Sequence, residues 1–478
     1  MSSSTLQSPV TAPAPATPGQ ASWGTLLVLL AGIFMAMLDF FIVNVSIPGT
    51  QADLHASSAA MQWVVAGYGL AVAAGLITGG RLGDMYGRAR MYGLGMAIFA
   101  LASIVCAMAG GTGELIAARV VQGAGMALLM PQVLGIISVV FTGARQARAF
   151  AAYGLTMGLA AVFGQLIGGA LIQADLFGLG WRAIYWINVP VAVLALVLLR
   201  RLVPESRGSA GTRLDPSGVG LILAALVALV LPLIQGRAQG WPVWTWLSLA
   251  AAAVLLGVFT WYQRRLAARG AAPLVDPRLF RDRSFTVGVA LSLAYQMTMG
   301  SFFLFLALYL QQGRGMSPLA SGALFLAIGG PYMLTSVVAE KFTARLGRQV
   351  ITLGAVLQGA GFVLLAAVIE HADGHVALGW LLPGLVLAGA GMGFAVVPVP
   401  GIVLAGVPPE HAASAGGVLA TAQQVGGAVG IAVVGIVFYD RLGGTAELGP
   451  AFVSSLVPMA LLCLLTAALV QLLPRSRR

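Results

Sequence analysis

Charged residues are scarce in this sequence. Asp, Glu, Lys and Arg together make up 9% of its 478 residues, whereas 59% are hydrophobic. An ordinary soluble domain carries about 25% charged residues. A chain with so little charge cannot cover the surface of a water-soluble fold, so this class is excluded.

Lysine and cysteine are also nearly absent. Lys341 is the only lysine, and the two cysteines, Cys106 and Cys463, lie in apolar segments. The G-x-x-x-x-G-K-[ST] loop that binds ATP phosphates does not occur. Two such cysteines provide neither a disulfide framework nor the ligand spacing of a metal site. We therefore expect no ATP-driven transport, no catalytic residue, no metal site and no bound cofactor.

The N-terminal segment, 1–20, contains no Lys or Arg and is rich in Ser, Thr, Ala and Pro. It lacks the basic n-region of a signal peptide and has the composition of a disordered segment. We predict a disordered cytoplasmic tail, followed by a first hydrophobic segment that stays in the membrane.

Apolar runs long enough to cross about 30 Å of hydrocarbon recur along the chain. A first group of six covers 23–47, 61–80, 91–109, 114–138, 148–172 and 182–199. Two more runs follow at 217–235 and 244–262. A second group of six covers 285–310, 319–339, 349–369, 376–402, 413–437 and 453–473. The sequence thus predicts an all-α integral membrane protein with fourteen transmembrane helices.

The same pattern predicts the domain organisation. Residues 21–200 would form an N-terminal six-helix bundle and 201–284 the cytoplasmic loops with two inserted helices. Residues 285–478 would form a C-terminal six-helix bundle with a short cytoplasmic tail.

Basic residues, 26 in all, concentrate in alternate loops between the apolar runs. If both termini are cytoplasmic, the exceptions are Arg119, Arg182, Arg237, Arg314 and Arg441. Because Lys and Arg favour cytoplasmic loops, this distribution predicts an even number of spans and two cytoplasmic termini. The net charge of +11 is thus interpreted as topology-setting charge and not as a nucleic-acid-binding surface.

Internal repetition relates the two groups of six. GRLGDMYGRAR at 80–90 is echoed by EKFTARLGRQV at 340–350, and GAGM at 123–126 recurs at 389–392. GQLIGG at 164–169 is similarly echoed by QQVGGAVG at 423–430. Such parallel repeats are typical of secondary transporters, in which the substrate path lies between the halves.

The loop after the second span carries the pattern G-x-L-x-D-x-x-G-R, formed by Gly80, Leu82, Asp84, Gly87 and Arg88. Glycine lets the backbone reverse within few residues, and the charges cannot enter hydrocarbon. We therefore predict a tight turn at the cytoplasmic surface.

Two charged residues stand inside spans. Asp39, in LDFFIVNVSIP, is the only acidic residue deep within a predicted span, and Arg119, in RVVQGAGMALLMP, is the only basic one clearly inside. Asp39 lies 8 residues from the outer end of its span and Arg119 lies 5 from the outer end of its own. At 1.5 Å per residue their depths differ by about 5 Å. A direct or water-bridged contact is therefore geometrically possible, and a structural ion pair would give the same pattern as a protonation site.

These motifs resemble those of the major facilitator superfamily, and within it the fourteen-span drug:proton antiporters, over the whole chain apart from the N-terminal tail. The resemblance implies the major facilitator fold, with two six-helix bundles and two inserted helices. It implies export of amphipathic small molecules or drugs across the cytoplasmic membrane, driven by the proton gradient without a cofactor. The implied partners are a small-molecule substrate, protons and the lipid bilayer, with no nucleic acid. Monomeric operation is implied, and an association with periplasmic adaptor proteins stays open.

The resemblance also implies residue roles. Asp39 and Arg119 would be the proton-coupling pair. Gly80, Asp84, Gly87 and Arg88 would form a cytoplasmic gate, with Asp84 facing the start of span 13 near 411–414. The polar span residues that we consider for the substrate cavity are Asn44, Gln122, Gln165, Gln296, Gln423 and Gln424.

Span 5 is rich in glycine at spacings that suit close helix approach. The glycines are Gly154, Gly158, Gly164, Gly168 and Gly169. Gln165 stands where the family motif G-P-x-x-G-G has proline, so we expect no kink there. WRAIYWINVP, at 181–190, is interpreted as an interfacial anchor of span 6.

Two other functions fit the same residues. One is a dedicated exporter of one endogenous metabolite, such as a siderophore or an antibiotic. The other is a transport-inactive membrane sensor that keeps the fold.

Overall fold

The computed structural model describes residues 23–207, 214–271, 273–371, 377–404, 407, 412–445 and 447–473. Over these ranges the regular secondary structure is helical, and no β-strand occurs in them. Fourteen helices are long and apolar enough to cross a membrane. The predicted all-α membrane architecture is thus confirmed. The predicted N-terminal tail lies outside the described residues.

The fourteen helices are labelled α1 to α14 in chain order. The first six are Trp23–Asp53, Ser58–Tyr86, Arg88–Met108, Thr112–Val140, Gly143–Ala174 and Gly180–Leu202. The inserted pair, α7 and α8, is Pro216–Gln235 and Val243–Ala268. The last six, α9 to α14, are Arg283–Gly313, Pro318–Leu346, Gln349–His371, Leu378–Leu404, Ala415–Gly443 and Leu448–Leu472.

The tight turn predicted in the G-x-L-x-D-x-x-G-R segment is shorter than expected. Helix α2 continues through the segment to Tyr86, and Gly87 alone separates it from α3. Gly87 has φ 110°, a backbone conformation that favours glycine. The turn is thus confined to Gly87, because the preceding residues of the segment extend the helix.

The second half repeats this break. Gly347, with φ 56°, follows the end of α10 just before α11 begins. The repeated GAGM segments match as well, since Gly123 and Gly125 place α4 against α2 and α3, and Gly389 and Gly391 place α12 against α10 and α11. A Cβ at any of these four glycines would lie within 3.0 Å of the neighbouring backbone. The halves are therefore built by the same close helix contacts.

The glycines of α5 differ in what they contact. A Cβ on Gly164 would lie 3.3 Å from a backbone oxygen of α1, one on Gly168 2.4 Å from an α1 side chain, and one on Gly169 2.2 Å from a backbone oxygen of α10. Gly158 makes ordinary contact with α10 at 3.6 Å. Gly154 has no heavy atom within 4 Å, so the predicted close approach is wrong there. Gly154 lies on an exposed face of α5, whereas the adjacent Tyr153 is buried.

The two ends of the bundle are packed differently. At the end that carries Arg182, called the Arg182 end, one buried apolar cluster contains residues of both halves. There Gln311 Nε2 of α9 donates to the Val45 carbonyl of α1 at 2.9 Å. At the opposite Arg88 end the apolar clusters belong mainly to one half each. The halves are thus joined at the Arg182 end and parted at the Arg88 end, apart from a seam where α2 meets α13.

The inserted helices cover this seam. Helix α7 packs on α2 and α13 through a buried cluster that includes Leu226, Val230 and Ile234. The start of α7 is fixed by Asp215, which accepts hydrogen bonds from Gly218 N at 2.8 Å and from a side-chain amide of α8 at 2.7 Å. Helices α7 and α8 are therefore packed against the bundle and held to each other by specific hydrogen bonds.

Gly169→Ala tests the contact of α5 with α10. The new Cβ would lie 2.2 Å from the Pro318 carbonyl oxygen, so the helices must separate. Overpacking of this kind costs about 1–3 kcal/mol. We expect a lower melting temperature of the detergent-purified protein, measured by a thiol-reactive dye. The matched control Gly154→Ala adds the same methyl group in open space, and equal melting temperatures of the two variants would contradict the described packing.

Candidate functional site

The two charged span residues meet in the interior of the first half. Arg119 Nη1 of α4 donates to Asp39 Oδ2 of α1, and both side chains are 0% exposed. Their similar depths made a direct or a water-bridged contact possible, and the contact in the structure is direct. A buried charge pair in hydrocarbon is costly unless its polar atoms are well satisfied, so the surrounding donors matter.

Polar side chains from three further positions complete the pair. Asp39 Oδ1 accepts from Gln122 Nε2 at 2.9 Å and from Asn188 Nδ2 at 2.8 Å. The same two amides also donate to Ser103 Oγ, at 2.7 Å and 3.2 Å. The carboxylate thus has three donors, supplied by α4 and α6, and Ser103 ties α3 to them.

Arg119 is held on several sides. Its Nε donates to the Val64 carbonyl at 3.2 Å and its Nη1 to Gln122 Oε1 at 2.6 Å. The guanidinium lies over the Tyr68 ring, 4.2 Å from the centroid. Its Nη2 has no hydrogen-bond partner in the described part of the chain.

The structure corrects two interpretations here. Gln122, considered above for the substrate cavity, belongs to the ion-pair network. Asn188, interpreted as part of an interfacial anchor, is 1% exposed and donates to the carboxylate. The anchor is confined to the start of the segment, where Trp181 Nε1 and Arg182 Nη1 donate to Asp53 at 3.0 Å and 2.6 Å.

A central cavity lies between the halves. Its volume is about 1020 Å³, including the part that opens to solvent, and its walls come from α1, α2, α4 and α5 and from α9, α10, α12 and α13. The lining is apolar apart from Gln296, Gln423, Gln424 and Tyr332. A mostly apolar lining with a few polar groups is characteristic of a small-molecule site.

Three of the predicted cavity residues line this space, and three do not. Gln296, Gln423 and Gln424 are in the wall. Besides Gln122, Asn44 is turned away, since its Nδ2 donates to a carbonyl of α1 at 3.1 Å. Gln165 is 0% exposed, at the contact of α5 with α10. The helical phase of Asn44, Gln122 and Gln165 directs their side chains toward helices and not into the cavity. This phase cannot be read from the presence of polar residues in a span.

The ion pair is one layer away from the cavity. Phe40 and Phe41, the residues that follow Asp39, line the cavity wall. The Phe40 ring lies 6.0 Å from the ring of Tyr68, which in turn stacks on Arg119. The rings of Phe40 and Tyr68 thus connect the cavity wall to Arg119.

The gate motif forms a compact charged joint. Asp84 Oδ1 accepts from Arg88 Nη2 at 2.8 Å and from its Nε at 3.1 Å, and Arg88 Nη1 donates to the Gly135 carbonyl of α4 at 2.8 Å. Gly87 lies at the break between α2 and α3, and a Cβ added at Gly80 would lie 3.6 Å from Pro131. The motif joins α2, α3 and α4 within the first half. The predicted opposing segment, 411–414, lies outside the residues whose side chains are described.

The second half has uncharged polar residues on the helices that correspond to α1 and α3. Thr298 of α9 and Gln358 of α11 are each 0% exposed. Sequence reasoning missed them, along with Ser103 and Tyr68, because uncharged polar residues inside spans do not stand out.

The sequence model of the Major Facilitator Superfamily matches residues 29–431. The chain belongs to this superfamily. It is 39% identical to the probable actinorhodin transporter of Streptomyces coelicolor, over 89% of this chain and 74% of that protein. It is 33% identical to the tetracenomycin C resistance and export protein of Streptomyces glaucescens, over 88% and 77%. Identity to the multidrug resistance protein Stp of Mycobacterium tuberculosis is 32%, over 88% and 77%.

Solved structures share the fold. A POT family transporter in complex with 5-aminolevulinic acid superposes with a TM-score of 0.69 at 14% identity, over 94% of this chain and 96% of the other. A bacterial homologue of the human lysosomal transporter Spinster, in an inward-facing and occupied conformation, gives 0.64 at 19% identity over 94% and 95%. At such identities the likeness concerns the fold alone.

Breaking the ion pair from one side should be more harmful than removing both charges. Arg119→Met leaves Asp39 charged and unpaired in the interior, which costs about 3–5 kcal/mol. We expect a strongly lowered melting temperature for this transporter. The double variant Asp39→Asn, Arg119→Met keeps an oxygen that accepts from Gln122 and Asn188, and it should recover most of the loss. A double variant as unstable as the single one would contradict this account.

Proposed function

We propose that this transporter exports amphipathic small molecules across the cytoplasmic membrane in exchange for protons. The observation that carries the proposal is the buried Asp39–Arg119 pair, one aromatic layer from an apolar cavity between the halves. The relatives named for drug or antibiotic export and resistance support an efflux role. The position of the cavity also supports this role, because secondary transporters bind their substrates between the two halves.

The proposed orientation places the Arg88 end and both termini in the cytoplasm. It is supported by the basic residues of the loops on that side, following the preference of Lys and Arg for cytoplasmic loops. In this orientation the halves are parted toward the cytoplasm and joined toward the outside. A substrate would enter the cavity from the cytoplasm or the adjoining leaflet.

The ion pair fits the step at which substrate is collected. With Asp39 bound to Arg119, the carboxylate carries no proton, so the proton has already been released to the cytoplasm. After the cavity turns outward, Asp39 takes a proton from the outside medium, and Arg119 loses its counter-charge. Asp39 thus has Arg119 as its partner when the cavity faces the cytoplasm and a proton when the cavity faces outward. This difference changes the relative free energies of the two conformations.

The gate is proposed to act at the Arg88 end. Arg88 binds both Asp84 and α4, so α2 and α4 move together as one unit. When the cavity turns outward, the α2–α3 joint approaches the start of α13, whose positive helix end favours an acidic partner. We propose that the protein works as a monomer, without a cofactor.

Asp39→Asn tests proton coupling. The variant keeps the oxygen that accepts from Gln122 and Asn188, loses the acceptor for Arg119 and cannot exchange a proton. Uptake of a drug into everted vesicles should therefore no longer respond to a pH gradient. Exchange of labelled for unlabelled substrate needs no net proton transfer and should persist. The measurement is radiolabelled drug uptake with and without the gradient.

The control for this test is Asp175→Asn. Asp175 is exposed in the loop before α6, and its Oδ1 accepts from Gly180 N at 2.8 Å, which Asn can also do. It should transport as the wild type does. Gradient-driven uptake by Asp39→Asn at the wild-type rate would exclude Asp39 from coupling.

A dedicated exporter of a single antibiotic is the second candidate. It is favoured by relatives named for one compound, actinorhodin or tetracenomycin C. A resistance panel on deletion and overexpression strains separates the two: protection against many unrelated compounds indicates multidrug export, and protection against one scaffold indicates the dedicated role.

A further inference from the structure

We propose that the cavity selects uncharged aromatic molecules bearing carbonyl or hydroxyl groups and rejects organic cations of similar size. The inference rests on the proposed export function and specifies its substrate class. It is based on two observations: the cavity wall has no charged side chain among its described residues, and the buried carboxylate of Asp39 is paired with Arg119.

The wall offers no counter-charge for a cation. Among its described lining residues there is no Asp, Glu, Lys, Arg or His. A cation that loses its water in such a site is destabilised unless a carboxylate compensates it. Asp39 does not take this role, because Arg119 neutralises it and the side chain is 0% exposed.

The wall does offer neutral hydrogen-bonding groups. The carboxamides of Gln296, Gln423 and Gln424 lie in the cavity lining, and they make no hydrogen bond with another described residue. Each carboxamide has two donor hydrogens and one acceptor oxygen. Carbonyl and hydroxyl groups of a ligand match both functions, and a partly buried polar group gains most when it is paired.

The remaining wall suits a flat ring system. It contains four phenylalanines and a set of methionines, whose flexible thioethers adapt to a ligand and make favourable contacts with ring edges. The methionines are Met37, Met130, Met157, Met299 and Met392. Aromatic ligands gain both area and ring contacts in such a site.

Cation–π attraction by the aromatic wall is the competing effect. The rings of Phe303 and Phe325 stack on each other, 5.6 Å between centroids and 11° from parallel, and Phe41 meets Phe303 at 5.4 Å with an angle of 62°. The facing surfaces of the stacked pair are thus covered by each other. Phenylalanine faces alone do not replace the missing carboxylate.

The test uses two probes with the same three-ring skeleton. N-methylacridone is neutral and has a carbonyl oxygen, whereas N-methylacridinium has a positive charge and no such oxygen. Both are fluorescent, so binding to the purified full-length protein in detergent can be titrated directly. We expect the neutral probe to bind at least about tenfold more tightly, a difference of about 1.4 kcal/mol.

Gln424→Glu supplies the missing negative charge with little change in shape. We expect the preference to reverse, with the affinity for N-methylacridinium rising at least about tenfold. Gln296→Glu, on α9, should likewise shift the preference toward the cation. This second variant keeps the test decisive if Gln424→Glu does not fold. The control Gln239→Glu lies in an exposed loop and keeps its acceptor for Trp244 Nε1, so both affinities should stay unchanged.

Three outcomes would overturn the inference. The wild type could bind the cation as tightly as the neutral probe, it could bind neither, or both glutamate variants could fold and keep the wild-type preference. These titrations need no pH gradient. Selective binding without gradient-driven transport would therefore count against the proposed export function and not against the selectivity.

Discussion

A carboxylate and a guanidinium in the interior of a membrane bundle must satisfy each other, because neither water nor lipid can do so. In the first half this requirement fixes four helices at once. Asp39 of α1 and Arg119 of α4 bind each other, Ser103 of α3 accepts from Gln122, and Asn188 of α6 donates to the same carboxylate. The Tyr68 ring packs against the guanidinium of Arg119.

The two halves show that close helix packing and charge are separable features. Glycines at equivalent places bring α4 and α12 against their neighbours, and a glycine break follows both α2 and α10. The second half nevertheless buries Thr298 and Gln358 on helices equivalent to those of Asp39 and Ser103. Close glycine packing is thus shared by both halves, whereas the buried ion pair belongs to the first half.

Features of the fold that depend on hydropathy were predictable from the sequence. The fourteen spans follow from the cost of placing polar residues in hydrocarbon. The similar depths of Asp39 and Arg119 follow from the constant rise per residue in a helix, and they made the observed contact possible. The side on which a residue faces was harder to predict. Gln165 and Gln423 are alike in sequence, but one is directed to a helix contact and the other to the cavity. Helical phase relative to neighbours depends on tertiary packing, and so does the continuation of α2 through Asp84.

The position of α7 has a consequence for molecules dissolved in the bilayer. This helix covers the seam between the halves where α2 meets α13. At the level of this cluster, α7 stands between the surrounding lipid and the contact of α2 with α13. A molecule dissolved in the bilayer therefore has no direct route to the central cavity at that seam.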